Sequence, residues 1–480
     1  MSTLLNAMQT GDTYTENGRL TNSTTLNPLV DLFFTIGAVR KSMTDGSGDT
    51  RIIQKFEAAY NSNQTLTKKM LFWARDVRGG AGERAVFRAL LKHLAVFHTD
   101  DVLKNLNLVT EYGRWDDVFI LFGTPVEKQA LQLIKDALYS DNAGLVAKWL
   151  PRLGGKVNKE KKEVAHKVRN FLKLTPSEYR KLLVSKTNVV ETPMCAKQFD
   201  TIEYNAVPSV ALSRYTKAFT KRDVERFSQF INKVKTGEAK INTAAVYPYN
   251  VVQTLKQGNN YELANEMWKN LPNYFGNTTE HILPLCDVSP SMDTSVSGSI
   301  TALDVCISLG LYISERNTGI FKDSFVTFSE KPTVEVLSGD LRSRYTQLKR
   351  ANWGGSTNLD AAFTLLLSSA LKANVPANEM PTQLLIISDM EFNSCVTSNT
   401  TQYQGITEKY KNAGYELPKV VFWNIASRHD NFPVQAKTPN TALVSGFSPS
   451  ILTSLLSGED FSPTGIMLKT LNNERYSAVV

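Results

Sequence analysis

From residue 29 onward, apolar positions recur at intervals of three and four, the period of helices that bury one face. Ile52, Phe56 and Tyr60 form one stripe, Leu66, Met70 and Trp73 the next, and Val86, Phe87, Leu90, Leu91 and Leu94 a third. Between the last two, the run Ala74-Arg75-Asp76-Val77-Arg78-Gly79-Gly80-Ala81-Gly82-Glu83-Arg84 breaks the period, so its glycines make a turn between two helices. Leu103, Leu106 and Val109 continue on a helix that Thr99 or Asp100 can cap and that stops at Gly113. Another opens at Arg114-Trp115-Asp116-Asp117, and Pro125 starts one that runs to about residue 140. Residues 177–183 and 215–219 carry further helical segments. Helix pairs with Gly or Pro turns about every 20 residues predict an α-solenoid, although no repeat is clear enough to align.

Near residue 280 the period changes. Ile282 to Cys286 is a continuous apolar run ended by Asp287, the pattern of a strand covered on both faces in a parallel sheet. Residues 324–328, 333–337, 383–388, 419–425 and 441–446 also read as strands, and residues 299–315, 357–373, 407–413 and 449–456 as helices. Such alternation predicts a doubly wound, mainly parallel sheet that binds its ligand at the C-terminal edge of the strands. The fold class expected is therefore α + α/β. Its parts are a polar arm at 1–26, a helical domain at 27–278, an α/β domain at 279–460, and a tail at 461–480 that packs back on the helical half.

With 480 residues there is room for two sizeable cores. No apolar run approaches the ~18 residues of a membrane span, and residues 1–18 lack the regions of a signal peptide, so a cytoplasmic protein without membrane contact is expected. Cys195, Cys286, Cys306 and Cys395 lie far apart with no CxxC, which fits buried reduced thiols rather than a disulfide framework or a zinc cluster. Charge alters the picture more. The net charge is +8, yet from residue 281 onward there are 15 Lys or Arg against 18 Asp or Glu, so all the positive excess lies earlier in the chain. Lys148 to Lys186 alone holds 12 basic residues against three glutamates, either a footprint for a polyanion or a plain solvated face.

Three segments carry candidate chemistry. Asp287-Val288-Ser289-Pro290-Ser291 follows the first buried strand, and alternate residues of an extended loop turn their oxygens the same way. Gly354-Gly355-Ser356-Thr357 precedes a helix, and Asp389 ends the strand at 383–388. Hard oxygen donors with room for water suit Mg²⁺, or Mn²⁺, better than zinc or copper. The order DxSxS, then Thr, then Asp resembles the metal-ion-dependent adhesion site of von Willebrand A domains. That resemblance implies Asp287, Ser289, Ser291, Thr357 and Asp389 as the metal ligands, with Pro290 in a spacer position where Gly is usual. The bland alternative is that the two aspartates cap helices and the serines fill a turn.

The motifs ARDVRGGAGER, GRWDDVF, AKWLPR, EYRKLL, VPSVALSRYTKAF, LCDVSPSM, WGGSTNLDAAF, IISDMEF and VVFWNI occur in this order. Together they resemble a TROVE-related family of plants, fungi and phages, over roughly residues 30 to 460. That family is similar in architecture to the Ro autoantigen, in which a ring of HEAT-like helices is closed by a von Willebrand A domain. The resemblance implies binding of small non-coding RNA on a basic outer face and of misfolded RNA by its single-stranded ends. Arg78, Arg84, Arg88, Arg152, Lys156, Lys161, Lys162, Lys167 and Arg169 are the candidate phosphate contacts.

Two other classes stay open. In the first, the chain is a protein-interaction scaffold whose metal accepts an Asp or Glu from a partner, and the basic face is incidental. In the second it is a metal-dependent nuclease, which the lack of an evident general base disfavours. His93, His98, His166, His281 and His429 show no metal-binding spacing and read as surface or core histidines, and no GxSxG is present. A non-enzymatic protein is the expectation.

Overall fold

The computed structural model describes residues 12–44, 47–154, 157–256, 261–328, 331–351, 358–392, 402–427, 429–456 and 460–480. The first half is helical, as its period requires. Helix Gln64–Arg75 buries Met70, Leu71, Phe72 and Trp73 and packs on helix Arg84–Phe97, whose inner face is Val86, Phe87, Leu90, Leu91 and Leu94. The expected single helix after residue 99 is two short ones, Thr99–Asn105 and Leu108–Tyr112, and neither Thr99 nor Asp100 caps it. The run between the first two is rich in glycine because it is crowded. A Cβ on Gly80 would lie 2.0 Å from the Trp73 carbonyl oxygen.

The second half is a six-stranded mixed sheet. Strands β1 (Asp12–Tyr14) and β2 (Leu20–Asn22) form a separate hairpin, and the main sheet uses β3 (Ile282–Asp287), β6 (Ser324–Phe328), β7 (Thr333–Val336), β8 (Gln383–Ser388), β9 (Lys419–Asn424) and β10 (Thr441–Ser445). A small hairpin of β4 (Ser295–Ser297) and β5 (Ile300–Thr301) follows β3. The order is β10-β9-β8-β3-β6-β7, parallel throughout except that β7 runs antiparallel to β6. From β3 the chain moves outward through β6 and β7, then crosses back to β8 on the other side of β3. Between β3 and β8 the direction of winding reverses, and that crevice is where open α/β sheets bind ligands.

Both chain ends stitch the halves together. Helix Pro28–Ile36 is buried on all sides because it lies between the helical half and β10. Gly37 donates its N–H to Ser445 Oγ at 3.0 Å, and a Cβ there would sit 2.2 Å from the Gly446 nitrogen. Backbone against backbone cannot yield, so Gly37→Ala should cost about 1–3 kcal/mol. A urea melt reads this loss; an unchanged midpoint would mean that the halves do not touch at this point. In the tail, Arg475 and the Tyr476 hydroxyl bind the buried carboxylate of Asp76, and Val480 N–H donates to Asn105 Oδ1 at 3.0 Å. The β1–β2 arm, mostly polar, docks on the sheet half through Thr15 Oγ1 to the Phe392 carbonyl at 2.7 Å and the Asn22 N–H to the Phe432 carbonyl at 3.2 Å.

Candidate metal centre and basic cleft

Two carboxylates end neighbouring strands at the winding reversal. Asp287 is fully buried and Asp389 is 2% exposed. Asp287 Oδ1 accepts the Ser289 N–H at 2.9 Å, which bends the loop back on the strand end, and its Oδ2 accepts the Ser388 hydroxyl at 2.7 Å. Ser289 and Ser291 bring their hydroxyls to 2.9 Å of one another. Burial, and second the negative charge of Asp389, push the Asp287 carboxyl up to about 7. Among the described residues the groups acting on it are Asp389, Ser289 and Ser388, a carboxylate and two hydroxyls, and such a set of hard oxygen donors suits a divalent ion.

Four of the five residues assigned to the metal are thus together on two adjacent loops, and Thr357 lies outside the described residues. Sequence reasoning missed Ser388, which also accepts the Met390 N–H at 3.0 Å. Met390 has φ +66°, a left-handed conformation rare for a bulky residue.

A second cluster had no signal in spacing. Glu16 of the arm, Glu391 just after β8, and His429 after β9 offer ligand atoms that all lie within 4.8 Å of one another, an arrangement that can hold a metal ion. Glu391 is 1% exposed; its Oε1 accepts from Asn431 at 3.0 Å and lies 3.2 Å from His429 Nδ1, and its Oε2 accepts the Glu16 N–H at 2.7 Å. Burial raises the Glu391 carboxyl, and the nearby Asp389 adds to the effect.

The basic candidates converge only in part. Helices Arg84–Phe97, Gly144–Trp149 and Lys159–Phe171 enclose a cleft of about 860 Å³ whose wall includes Arg88, Arg152, Lys161 and Lys167. Phe119, Phe122 and Trp149 line it as well. Lys161 and Lys162 are exposed at the start of their helix, whereas Lys167 is tied to Glu127 at 2.6 Å and Arg88 to Asp117 at 2.6 Å and Asp116 at 2.8 Å. Arg152 bonds the Ala147 carbonyl and Thr187 Oγ1, and Arg169 bonds Asn170 Oδ1. Arg78 is exposed in the glycine-rich turn, Arg84 lines a separate cavity, and Lys156 lies outside the described residues. Lys92 and Lys148, lining the same cleft, were not among the candidates.

Asp116 and Asp117, from the motif GRWDDVF, organise the arginines around them. Asp117 is buried and binds Arg75 Nε at 2.7 Å, Arg88 Nε at 2.6 Å and the Arg114 N–H at 3.0 Å. Arg114 in turn stacks over the ring of Trp149, 4.4 Å from its centroid.

A protein of Acanthamoeba polyphaga mimivirus, described as uncharacterized, is 28% identical over 509 residues, which cover 95% of this chain and 87% of that one. The crystal structure of the Deinococcus radiodurans RO (RSR) protein aligns with 90% of this chain and 93% of its own at 12% identity and a TM-score of 0.38, a likeness too slight to carry an argument. Residues 281–476 match the family described as Domain of unknown function (DUF7788). Residues 15–138 and 131–278 match Domain of unknown function (DUF2828); those matches span more than half of the chain, which therefore belongs to the DUF2828 family.

Proposed function

We propose that this chain is a non-enzymatic, Ro-like RNA-binding protein of the cytoplasm, with a HEAT-like, TROVE-like helical domain and a von Willebrand A domain. Mg²⁺ or Mn²⁺ is held by Asp287, Ser289, Ser291 and Thr357, with Asp389 acting directly or through water. The observation that carries the RNA reading is the 860 Å³ cleft, in which Arg88, Arg152, Lys161 and Lys167 share a wall with Phe119, Phe122 and Trp149. Cations that track a phosphate backbone, beside rings on which unpaired bases stack, are what single-stranded nucleic acid requires. Purification from the native cell tests this: an A260/A280 ratio above that of protein, and a defined set of small RNAs on sequencing, is the expected result. A preparation free of nucleic acid at low salt would count against it.

The ion pairs of Lys167 with Glu127 and of Lys148 with Glu191 favour a second reading. Cations already neutralised offer a polyanion less, and in that case the metal domain serves as a scaffold that accepts an Asp or Glu of a protein partner.

A further inference from the structure

Beside the large cleft, at the seam between the two halves, is a second cavity of about 430 Å³. Its walls are the first turn of helix Arg84–Phe97, the segment entering helix Pro248–Lys256, and the β4–β5 hairpin just past the metal loop. Arg84 lines this cavity and Arg88, one helical turn along the same helix, lines the large cleft.

The small cavity is a surface of donors. Arg40 holds Glu83 through both oxygens, with Nε to Oε2 at 2.8 Å, so the one carboxylate on the wall is consumed. Arg75 is held by Asp117. Arg84 is exposed and has no carboxylate within ion-pair distance among the described residues. Arg114 Nε lies 3.2 Å from Asp116 Oδ1, but misaligned, so this buried donor makes no hydrogen bond. Tyr247 is 8% exposed and its hydroxyl has no partner. A buried hydroxyl left unpaired costs about 1–3 kcal/mol, which an entering acceptor would return. Gly82 packs directly against it: its φ is +70°, and a Cβ there would fall 2.1 Å from that hydroxyl. Lastly, the helix of 14 residues that begins at Arg84 has no side-chain cap, because its N-cap residue is Glu83, already bound to Arg40. Arg84 and Ala85 of its first turn line the cavity, and the unpaired N–H groups and positive dipole end of a helix start favour an anion.

We propose that this cavity binds a phosphate monoester, the terminal phosphate of an RNA strand whose following nucleotides lie in the adjoining cleft. A monoester carries more charge than a backbone diester and has only one ester link, so the strand can end here. The assignment to RNA rests on the function proposed above, whereas the affinity for phosphate does not.

Anisotropy titrations of the full chain with one short single-stranded RNA, bearing a 5′-phosphate, a 3′-phosphate or hydroxyl ends, test the proposal. One of the phosphorylated forms should bind about tenfold tighter than the hydroxyl form, a 1.4 kcal/mol preference. Arg84→Met, at an exposed position, and Tyr247→Phe, which removes a single oxygen, should bring that ratio close to one. Thermal melting with inorganic phosphate, against chloride at equal ionic strength, separates the two readings. A phosphate-dependent rise that Arg84→Met abolishes, in a protein that binds no RNA, upholds the cavity and sinks the RNA function alone. The same rise with RNA that binds regardless of its ends overturns the terminal assignment. Equal affinity for all three RNAs, with no rise, overturns the proposal altogether.

Discussion

Asp287→Asn is expected to abolish calorimetric binding of Mg²⁺ and Mn²⁺ and, at pH 8, to raise the melting temperature of the metal-free chain. Both effects follow from one fully buried carboxylate facing a second. Its folded pKa of about 7 lies above the ordinary 3.8, so the metal-free fold takes up a proton that the unfolded chain gives away. Stability of the metal-free protein therefore falls as pH rises from about 4 to about 7 and stays low above that; at pH 8 the charged group costs on the order of a few kcal/mol. Asparagine keeps the shape and removes the charge. A bound cation reverses the sign, because it needs the carboxylate that protons compete for, and its affinity should drop up to about tenfold per unit below pH 7. Retained metal binding in Asp287→Asn, or wild-type affinity that is flat from pH 8 to pH 6, would contradict the assignment.

Asp117→Ala should be among the most damaging single changes outside the hydrophobic core. The aspartate is fully buried and meets Arg75, itself 2% exposed, Arg88 and the N–H of Arg114. Removing it leaves a guanidinium buried without its counter-charge, a loss of about 3–5 kcal/mol. Urea unfolding measures it, and a loss under ~1 kcal/mol would show that water reaches Arg75. Since Arg88 and Arg114 also border the two cavities, RNA and phosphate binding should weaken in the same variant.

The sheet half was legible because its strands are covered on both faces. Ile282 to Asp287 and Gln383 to Ser388 have no polar break, and their boundaries coincide with the runs in the sequence. DxSxS was legible for a related reason: its residues are neighbours in the chain. Contacts between distant segments left no such trace. Glu16 and Glu391 are 375 positions apart, and the hairpin of the arm, which Asn17-Gly18 with φ +81° at the glycine could have signalled, passed unread because no apolar alternation flanks that turn; hydrogen bonds to Glu391, Phe392 and Phe432 hold it. The basic run was visible as charge, but Glu127 and Glu191, which neutralise Lys167 and Lys148, lie outside it. Arg75 and Asp117 each sat in a noticed motif; their pairing needed the fold.

The most direct measurement of whether this chain binds RNA is a titration with a structured small RNA and with a single-stranded RNA at several salt concentrations. If five or six cations around the cleft meet phosphates, log K should fall against log salt with a slope of roughly −4 to −5. Replacing Lys161 and Lys162, both exposed, by Glu should weaken binding and flatten that slope, since such contacts read no sequence. Asp287→Asn should retain most of the affinity, since Asp287 does not line the cleft. Failure of both RNAs to bind tighter than ~10 μM near physiological salt, within the range of non-specific association, would contradict the account and leave the scaffold reading in its place.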